Sequence, residues 1–250
     1  QYAEAFNSVL GTAADRADMI ADTLGRHHTR DAIHALSRAV VPIAGYVTRL
    51  TPPTPDTVAH ARAADVRIDD AICRILCIPS SGSAIAAARN SGQPLRLADV
   101  CTLATLFRLK RRNGGLGIDL FEDVLAVAYP ALVAAAYQHL PHTALNTPHL
   151  ATGSNLSLIA EAQLAIDAVV PVSHGRVPAI HQLAATPKAQ ALLATIVSAT
   201  RTTRLLGSLS PSARAQAEQL QDQALVAARG AAFGVQDPVV YRATIQTLYR

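Results

Sequence analysis

The densest group of chemically useful side chains is a basic segment at residues 108–117. Four of its first five residues are cations: Arg108, Lys110, Arg111 and Arg112. Three glycines follow within four positions: Gly114, Gly115 and Gly117. Asn113-Gly114 indicates a tight turn, because both central residues of a type I′ turn need positive φ. A glycine backbone lets another surface come close, since it carries no Cβ. Cations beside such a backbone suit contact with phosphates. The alternative is a solvated loop with a basic rim.

No other group of residues predicts a self-sufficient active site. Asp69-Asp70 would lie in the middle of a helix, where adjacent side chains point about 100° apart and cannot easily share a metal. We interpret this pair as part of a solvated helix face. Cys73 and Cys77 lie one turn apart without further ligands at zinc-binding spacing, so we interpret them as buried small side chains. The sequence therefore predicts no catalytic residue, no metal and no cofactor.

The composition predicts an all-α fold. Half of the 250 residues are apolar, yet only 4% are aromatic and there is no Trp. The core must be built from Ala, Leu, Val and Ile, which favours close-packed helices. A net charge of +4 permits a polyanionic partner without requiring one. The uncharged apolar runs are too short to span a membrane, so we expect no membrane partner. Three cysteines fit a reducing, intracellular compartment.

Apolar residues at three- and four-residue steps predict helices along most of the chain. Before the basic segment the predicted helices are Tyr2–Leu10 ending at Gly11, a second one to Leu24, Thr29–Leu50 kinked or divided at Pro42, Thr57–Ile78 capped by Asp56, and Ala84–Asn90. The inward face of the fourth includes Asp65 among apolar residues, and Thr51–Pro55 predicts an extended connector. After the basic segment they are Leu120–Leu140, Leu156–Val170, a short helix from Pro178, Pro187–Leu206, Pro211–Ala232 and a last one to Tyr249.

These helices predict one irregular multi-helix domain over residues 1–250. The stretch 141–155 is rich in Pro, Thr, His and Asn and has no apolar period, so it predicts a long loop and a sub-boundary within the domain. One small β-hairpin at Asn113-Gly114 is compatible with this fold.

The order of features resembles the region after the palm in reverse transcriptases of retrotransposons that lack long terminal repeats. The likeness rests on Gly114-Gly115-Leu116-Gly117-Ile118 before the alanine-rich Ala126–Tyr137, on Arg49 followed by Pro52-Pro53, and on Arg204–Ser210. The aromatic-x-Asp-Asp motif of the palm is absent. The resemblance implies that residues 1–140 are thumb-like and residues 156–250 a helical connector. It also implies a piece of a larger polypeptide that works in the nucleus and grips a template–primer duplex or element RNA without extending a strand.

Taken together, the residues and the resemblance predict a non-catalytic chain that binds the backbone of RNA or DNA. The expected contacts are Arg108, Lys110, Arg111, Arg112, Asn113, Gly114, Gly115 and Gly117. Two alternatives stay open at this point. One is a helical scaffold or protein-interaction domain without nucleic-acid binding, and the other is a helical enzyme with its site within residues 141–155.

Overall fold

The computed structural model describes residues 2–25, 27–78, 81–90, 108, 116–137, 139, 156–170, 178–208 and 211. The regular structure of these residues is helical, without a strand, which confirms the predicted all-α fold. The predicted hairpin at Asn113-Gly114, the predicted loop at residues 141–155 and the helices predicted beyond residue 211 lie outside the described residues.

Short turns separate most of the helices in the first half of the chain. They are α1 (Tyr2–Leu24), α2 (Thr29–Ala35), a π-helical turn (Leu36–Val40), α3 (Val41–Ala44), α4 (Val47–Leu50), α5 (Pro55–Leu76) and α6 (Gly82–Asn90). The helices after the basic segment are α7 (Phe121–Tyr137), α8 (Leu158–Val169), α9 (Ile180–Ala184) and α10 (Ala189–Ser208). The long apolar periods therefore predicted these elements to within a few residues at most ends.

Helix α1 is continuous through Gly11, where the sequence analysis placed a break, so that prediction was wrong. The buried face of the helix runs across the glycine, with Leu10, Ala13 and Ala17 all buried. A glycine inside a helix costs about 0.5–1 kcal/mol relative to alanine. Burial of a continuous apolar face on both sides of Gly11 outweighs that cost.

Pro42 lies at a change of helix type, while the helical run itself is interrupted three residues later, at Gly45-Tyr46. The proline lies in α3, directly after the π-helical turn Leu36–Val40. Proline has no N–H to donate to the carbonyl of Arg38, and its ring would crowd that carbonyl in a regular helix. A wider turn ahead of Pro42 relieves the crowding.

Helix α5 begins two residues earlier than predicted, at Pro55 instead of Thr57, and its cap is Thr54, not Asp56. The N–H of Thr54 donates to Thr57 Oγ1 at 2.8 Å, and the N–H of Thr57 donates back to Thr54 Oγ1 at 3.3 Å. Pro55 occupies the first helical position, where no N–H is required. The reciprocal threonine bonds fix the entry into the helix that carries the acids described below.

The chain forms two compact units. Unit 1 comprises Gln1–Leu10, Ala44–Arg62 and Phe121–Arg201, and unit 2 comprises Gly11–Ile43, Ala63–Leu120 and Thr202–Arg250. The sub-boundary expected within residues 141–155 stays a prediction.

In unit 1, helix α7 packs against α4, α8 and α9. Ser157 caps α8 by accepting from the N–H of Ala160 at 3.3 Å. Gln163 Oε1 accepts from the N–H of Ile180 at 3.2 Å and so ties α8 to α9. The core of this unit contains Val127, Tyr129, Ala131, Val133, Ala134, Ala162, Ile166, Val170, Ile180, Leu183, Leu193 and Val197.

In unit 2, ion pairs align α1 with α5. Arg67 donates to Asp15 at 2.7 Å and to Asp18 at 2.5 Å, and Arg74 donates to Asp18 and, at 2.8 Å, to Asp22. All three aspartates lie three or four residues apart on α1, so they share one face. Exposed pairs of this kind contribute under about 1 kcal/mol each. They set the register of the two helices more than the stability of the unit.

The continuity of α1 predicts that Gly11→Ala stabilises the protein. A Cβ at this position meets nothing within 4 Å, and the substitution removes conformational freedom from the unfolded chain. We expect the free energy of unfolding to rise by about 0.5–1 kcal/mol, measured by urea titration with far-UV circular dichroism.

Gly25→Ala is the matched control, because a Cβ there would overlap the carbonyl oxygen of Ala21. That variant should lose stability. A Gly11→Ala variant less stable than the wild type would show that α1 ends at Gly11 after all.

Candidate nucleic-acid interface

Two buried carboxylates mark the inner face of α5. Asp65 and Asp69 lie four residues apart, so their side chains project from the same face of the helix. Asp65 is 3% exposed and Asp69 is fully buried, beside the equally buried Ile68 and Ile72. Two acids in such an environment repel each other and lose their hydration, so they require a cation or hydrogen-bond donors.

Arg108 supplies that cation. Its Nε donates to Asp69 Oδ1 at 2.7 Å, and its Nη2 lies 3.4 Å from Asp65 Oδ1. The same Nη2 donates to the backbone carbonyl of Asp65 at 2.8 Å, and Nη1 donates to the carbonyl of Asp119 at 3.1 Å. The guanidinium is fully buried, and all three of its nitrogens donate to an oxygen.

The electrostatics keep this arginine charged. Burial by itself lowers the pKa of Arg108, but the negative charges of Asp69 and Asp65 and the hydrogen bond to Asp69 act in the opposite direction. Their combined effect outweighs burial, so the pKa of Arg108 lies above its ordinary value. The guanidinium of Arg108 is therefore protonated at every physiological pH. We call the group formed by Arg108, Asp65 and Asp69 the buried ion cluster.

The bond from Arg108 to Asp119 links the first residue of the basic segment to the chain just after the segment. Asp119 lies two residues beyond Gly117, the last glycine of the segment. The apolar side chains that alternate around Asp119 in the chain are buried: Leu116, Ile118 and Leu120. Gly117 lies among them with φ of 75°, which is the left-handed region that a glycine adopts without strain.

The structure corrects one predicted contact and leaves most of the others open. Arg108 is not available to a phosphate, because its guanidinium is fully buried and bonded to protein oxygens. Gly117 is described, with its left-handed φ, two residues before Asp119 in the chain. The remaining predicted contacts lie outside the described residues: Lys110, Arg111, Arg112, Asn113, Gly114 and Gly115.

Two other interpretations are also corrected. Asp69 does not face solvent; it is buried against Arg108. Asp70 is partly buried, and its Oδ1 accepts from the N–H of Gly82 at 2.5 Å. Cys73 is buried as expected, whereas Cys77 is exposed.

Within the described ranges, no three His, Cys, Asp or Glu side chains are grouped so that they could hold a metal ion.

A second buried polar pair, in unit 1, was missed by the sequence analysis. The hydroxyl of Tyr129 donates to Glu161 Oε2 at 3.2 Å, with both residues buried. Burial, followed by the negative charge of Glu161, raises the pKa of Tyr129 well above its ordinary range. A tyrosine in the middle of the alanine-rich α7 was the available clue, because a buried hydroxyl needs a partner.

Comparison with protein-family models, with characterised proteins and with solved structures finds no match to this chain. The resemblance to reverse transcriptases therefore stays a prediction. In the part of the chain that the structure describes, no helix is both long enough and apolar enough to cross a membrane.

The buried ion cluster predicts a large effect of Arg108→Met. The variant leaves two buried carboxylates without their cation, which costs about 3–5 kcal/mol of unfolding free energy. The double variant Arg108→Met/Asp69→Leu should recover part of that loss, because it removes the carboxylate of Asp69 together with the guanidinium and leaves only Asp65 without its cation. Urea titration of both variants measures the two values.

Arg67→Met is the control, because its guanidinium is half exposed and pairs with Asp15 and Asp18 at the surface. It should cost less than about 1 kcal/mol. An Arg108→Met variant no less stable than Arg67→Met would contradict the placement of Arg108.

The Tyr129–Glu161 pair predicts a loss of stability at alkaline pH. Because the pKa of Tyr129 is raised on folding, its contribution is complete below the unfolded value of about 10 and is lost as the pH rises toward the folded value. Between about pH 9 and pH 11, the wild type should lose roughly 1.4 kcal/mol more than Tyr129→Phe. Urea titrations across this range give the comparison, and identical pH profiles would show that the hydroxyl ionises freely in the folded state.

Proposed function

We propose that this chain binds the phosphate backbone of nucleic acid through Lys110, Arg111 and Arg112, as a non-catalytic part of a reverse-transcriptase-like polypeptide. One observation carries the proposal. Arg108, at the start of the basic segment, is buried and donates to the carbonyl of Asp119 beyond its end. The three cations follow closely in the sequence after a residue whose side chain is fixed.

An anchored residue near the cations matters because flexible cationic side chains lose conformational freedom when they bind a ligand. Each rotamer-rich side chain immobilised at an interface costs about 0.5–1.5 kcal/mol, and an anchored backbone reduces the further cost of ordering the chain. Lysine and arginine side chains are also almost never fully buried unless they are paired. Consecutive cations are therefore expected to face solvent or an anionic ligand. A run of cations that starts near an anchored residue is therefore a suitable phosphate contact.

The glycines support the same function in a different way. Gly114 and Gly115 carry no side chain, so a sugar–phosphate backbone can approach the peptide N–H groups directly. Gly117 has a left-handed φ of 75° and lies between the buried Leu116 and Ile118. Such contacts hold a duplex by charge and shape and carry little base information.

The resemblance to the region after the palm supplies the rest of the proposal. It favours a template–primer duplex or element RNA as the partner and a larger polypeptide as the context. A helical scaffold without nucleic-acid binding is the alternative outcome of the experiment below.

Salt dependence tests the proposal. Each phosphate contact contributes roughly 0.7 to 0.9 to the steepness with which log affinity falls against log salt. We expect Lys110→Gln/Arg111→Gln/Arg112→Gln to flatten the slope by roughly 2 to 3. Fluorescence anisotropy with a labelled RNA–DNA hybrid, titrated between roughly 50 and 200 mM salt, measures the slope.

The matched control is Arg16→Gln/Arg38→Gln/Lys188→Gln, which removes one lysine and two arginines from exposed positions elsewhere. Its net charge equals that of the test variant, so a change due to net charge alone would be the same in both. Equal slopes for the wild type and the test variant would show that the basic segment is not the contact surface, and a wild type that does not bind the hybrid would favour the scaffold.

A further inference from the structure

A groove opens in unit 1 between α7, the turn that follows α9 and the start of α10. Its volume is about 580 Å³, within the size range of ligand sites in proteins. Arg49 of α4 and His139, which follows α7, also line it. Every lining residue belongs to unit 1.

Small side chains of α7 form one wall of the groove. Ala128, Ala131 and Ala135 line it together with Leu132, and their three- and four-residue spacing places them on one helix face. Leu132 is 38% exposed. The alanines leave room between α7 and α10 for apolar side chains of another molecule.

All the ionisable side chains that line the groove are basic. They are Arg49, His139 and Lys188, and no acidic residue is among the lining residues. Arg49 and Lys188 are both exposed. The carbonyl of Lys188 accepts from the N–H groups of Ala191 at 2.9 Å and Leu192 at 3.2 Å, so the lysine is fixed to the first turn of α10.

Exposed apolar side chains extend beyond the groove itself. Tyr46 is 74% exposed and Leu50 is 47% exposed, on either side of Arg49. Helix α4 packs against α7, whose Leu132 lines the groove. Leu192, on the first turn of α10, is a further exposed leucine at 36%. Exposed large apolar side chains that neighbour, along the chain, the lining residues of a basic groove are typical of a surface that a protein partner covers.

We propose that this groove binds an acidic amphipathic helix of a partner protein. The large apolar side chains of the partner helix enter the alanine-lined space. The carboxylates of the same helix pair with Arg49 and Lys188. Apolar anchors at one-turn spacing are how helices bind in grooves. The proposal is independent of nucleic-acid binding, because the basic segment lies in unit 2.

Two observations favour a helix over other anionic ligands. No Phe, Tyr or Trp is among the lining residues, so the groove lacks the aromatic platform on which single-stranded nucleic acids stack their bases. A small carboxylate would fill the groove but leave Tyr46 and Leu50 uncovered. A helix can cover the groove and these neighbouring side chains together.

A designed peptide tests the proposal. The probe is a fluorescein-labelled peptide of about 18 residues with leucines on one helical face and glutamates on the other, titrated with the full chain by fluorescence anisotropy. We expect saturable binding that Arg49→Glu/Lys188→Glu weakens about tenfold or more, since the introduced acids repel the glutamates. Ala135→Leu, at an exposed position of the groove wall, should weaken binding by narrowing the space.

The control is Arg16→Glu/Arg38→Glu, which changes the net charge equally at exposed arginines of unit 2 and should alter affinity less than about twofold. Lys110→Gln/Arg111→Gln/Arg112→Gln should bind the peptide as the wild type does. The proposal fails if binding is not saturable, if both double variants lose affinity equally, or if dodecanoate or an oligonucleotide displaces the peptide from the groove.

Discussion

A buried guanidinium between two carboxylates is the interaction on which unit 2 depends. Asp65 and Asp69 lie one turn apart on α5, where low local polarity strengthens their repulsion. Arg108 offsets that repulsion and directs its other donors to the carbonyls of Asp65 and Asp119. The same side chain therefore makes the burial of two acids tolerable and bonds the start of the basic segment to Asp119. Arg108 thus has a structural role, holding Asp65, Asp69 and Asp119, although it is the first of the cations in the basic segment.

The two proposed surfaces differ in the shape of the anion that each suits. The basic segment combines consecutive cations with glycines, which suits a continuous phosphate backbone. The groove of unit 1 combines two exposed cations with an alanine-lined space and neighbouring exposed leucines, which suits a ligand with one acidic and one apolar face. A chain with both proposed surfaces would connect a nucleic acid to a protein partner.

Much of the helical fold could be predicted from the sequence, because α5, α7 and α8 each bury a long periodic face. Gly11 misled the prediction because local propensity lost to burial on both sides of it. Asp69 could have been placed correctly, since it shares a face with Asp65, which was expected to point inward. Its partner could not be inferred, because Arg108 is 39 residues away in the chain and residue type alone favours solvent for an arginine.

The exchange rate of the Arg108 side-chain N–H groups tests the central claim most directly. In a protein labelled with ¹⁵N-arginine, the Nε–H of Arg108 donates to Asp69 in a fully buried site. We expect one Nε–H signal that exchanges with water on the order of a hundredfold more slowly than those of exposed arginines. That signal should disappear in Arg108→Lys and exchange faster in Asp69→Asn. If no protected signal depends on Arg108, the guanidinium is in contact with water, and neither the buried ion cluster nor the bond from Arg108 to Asp119 exists.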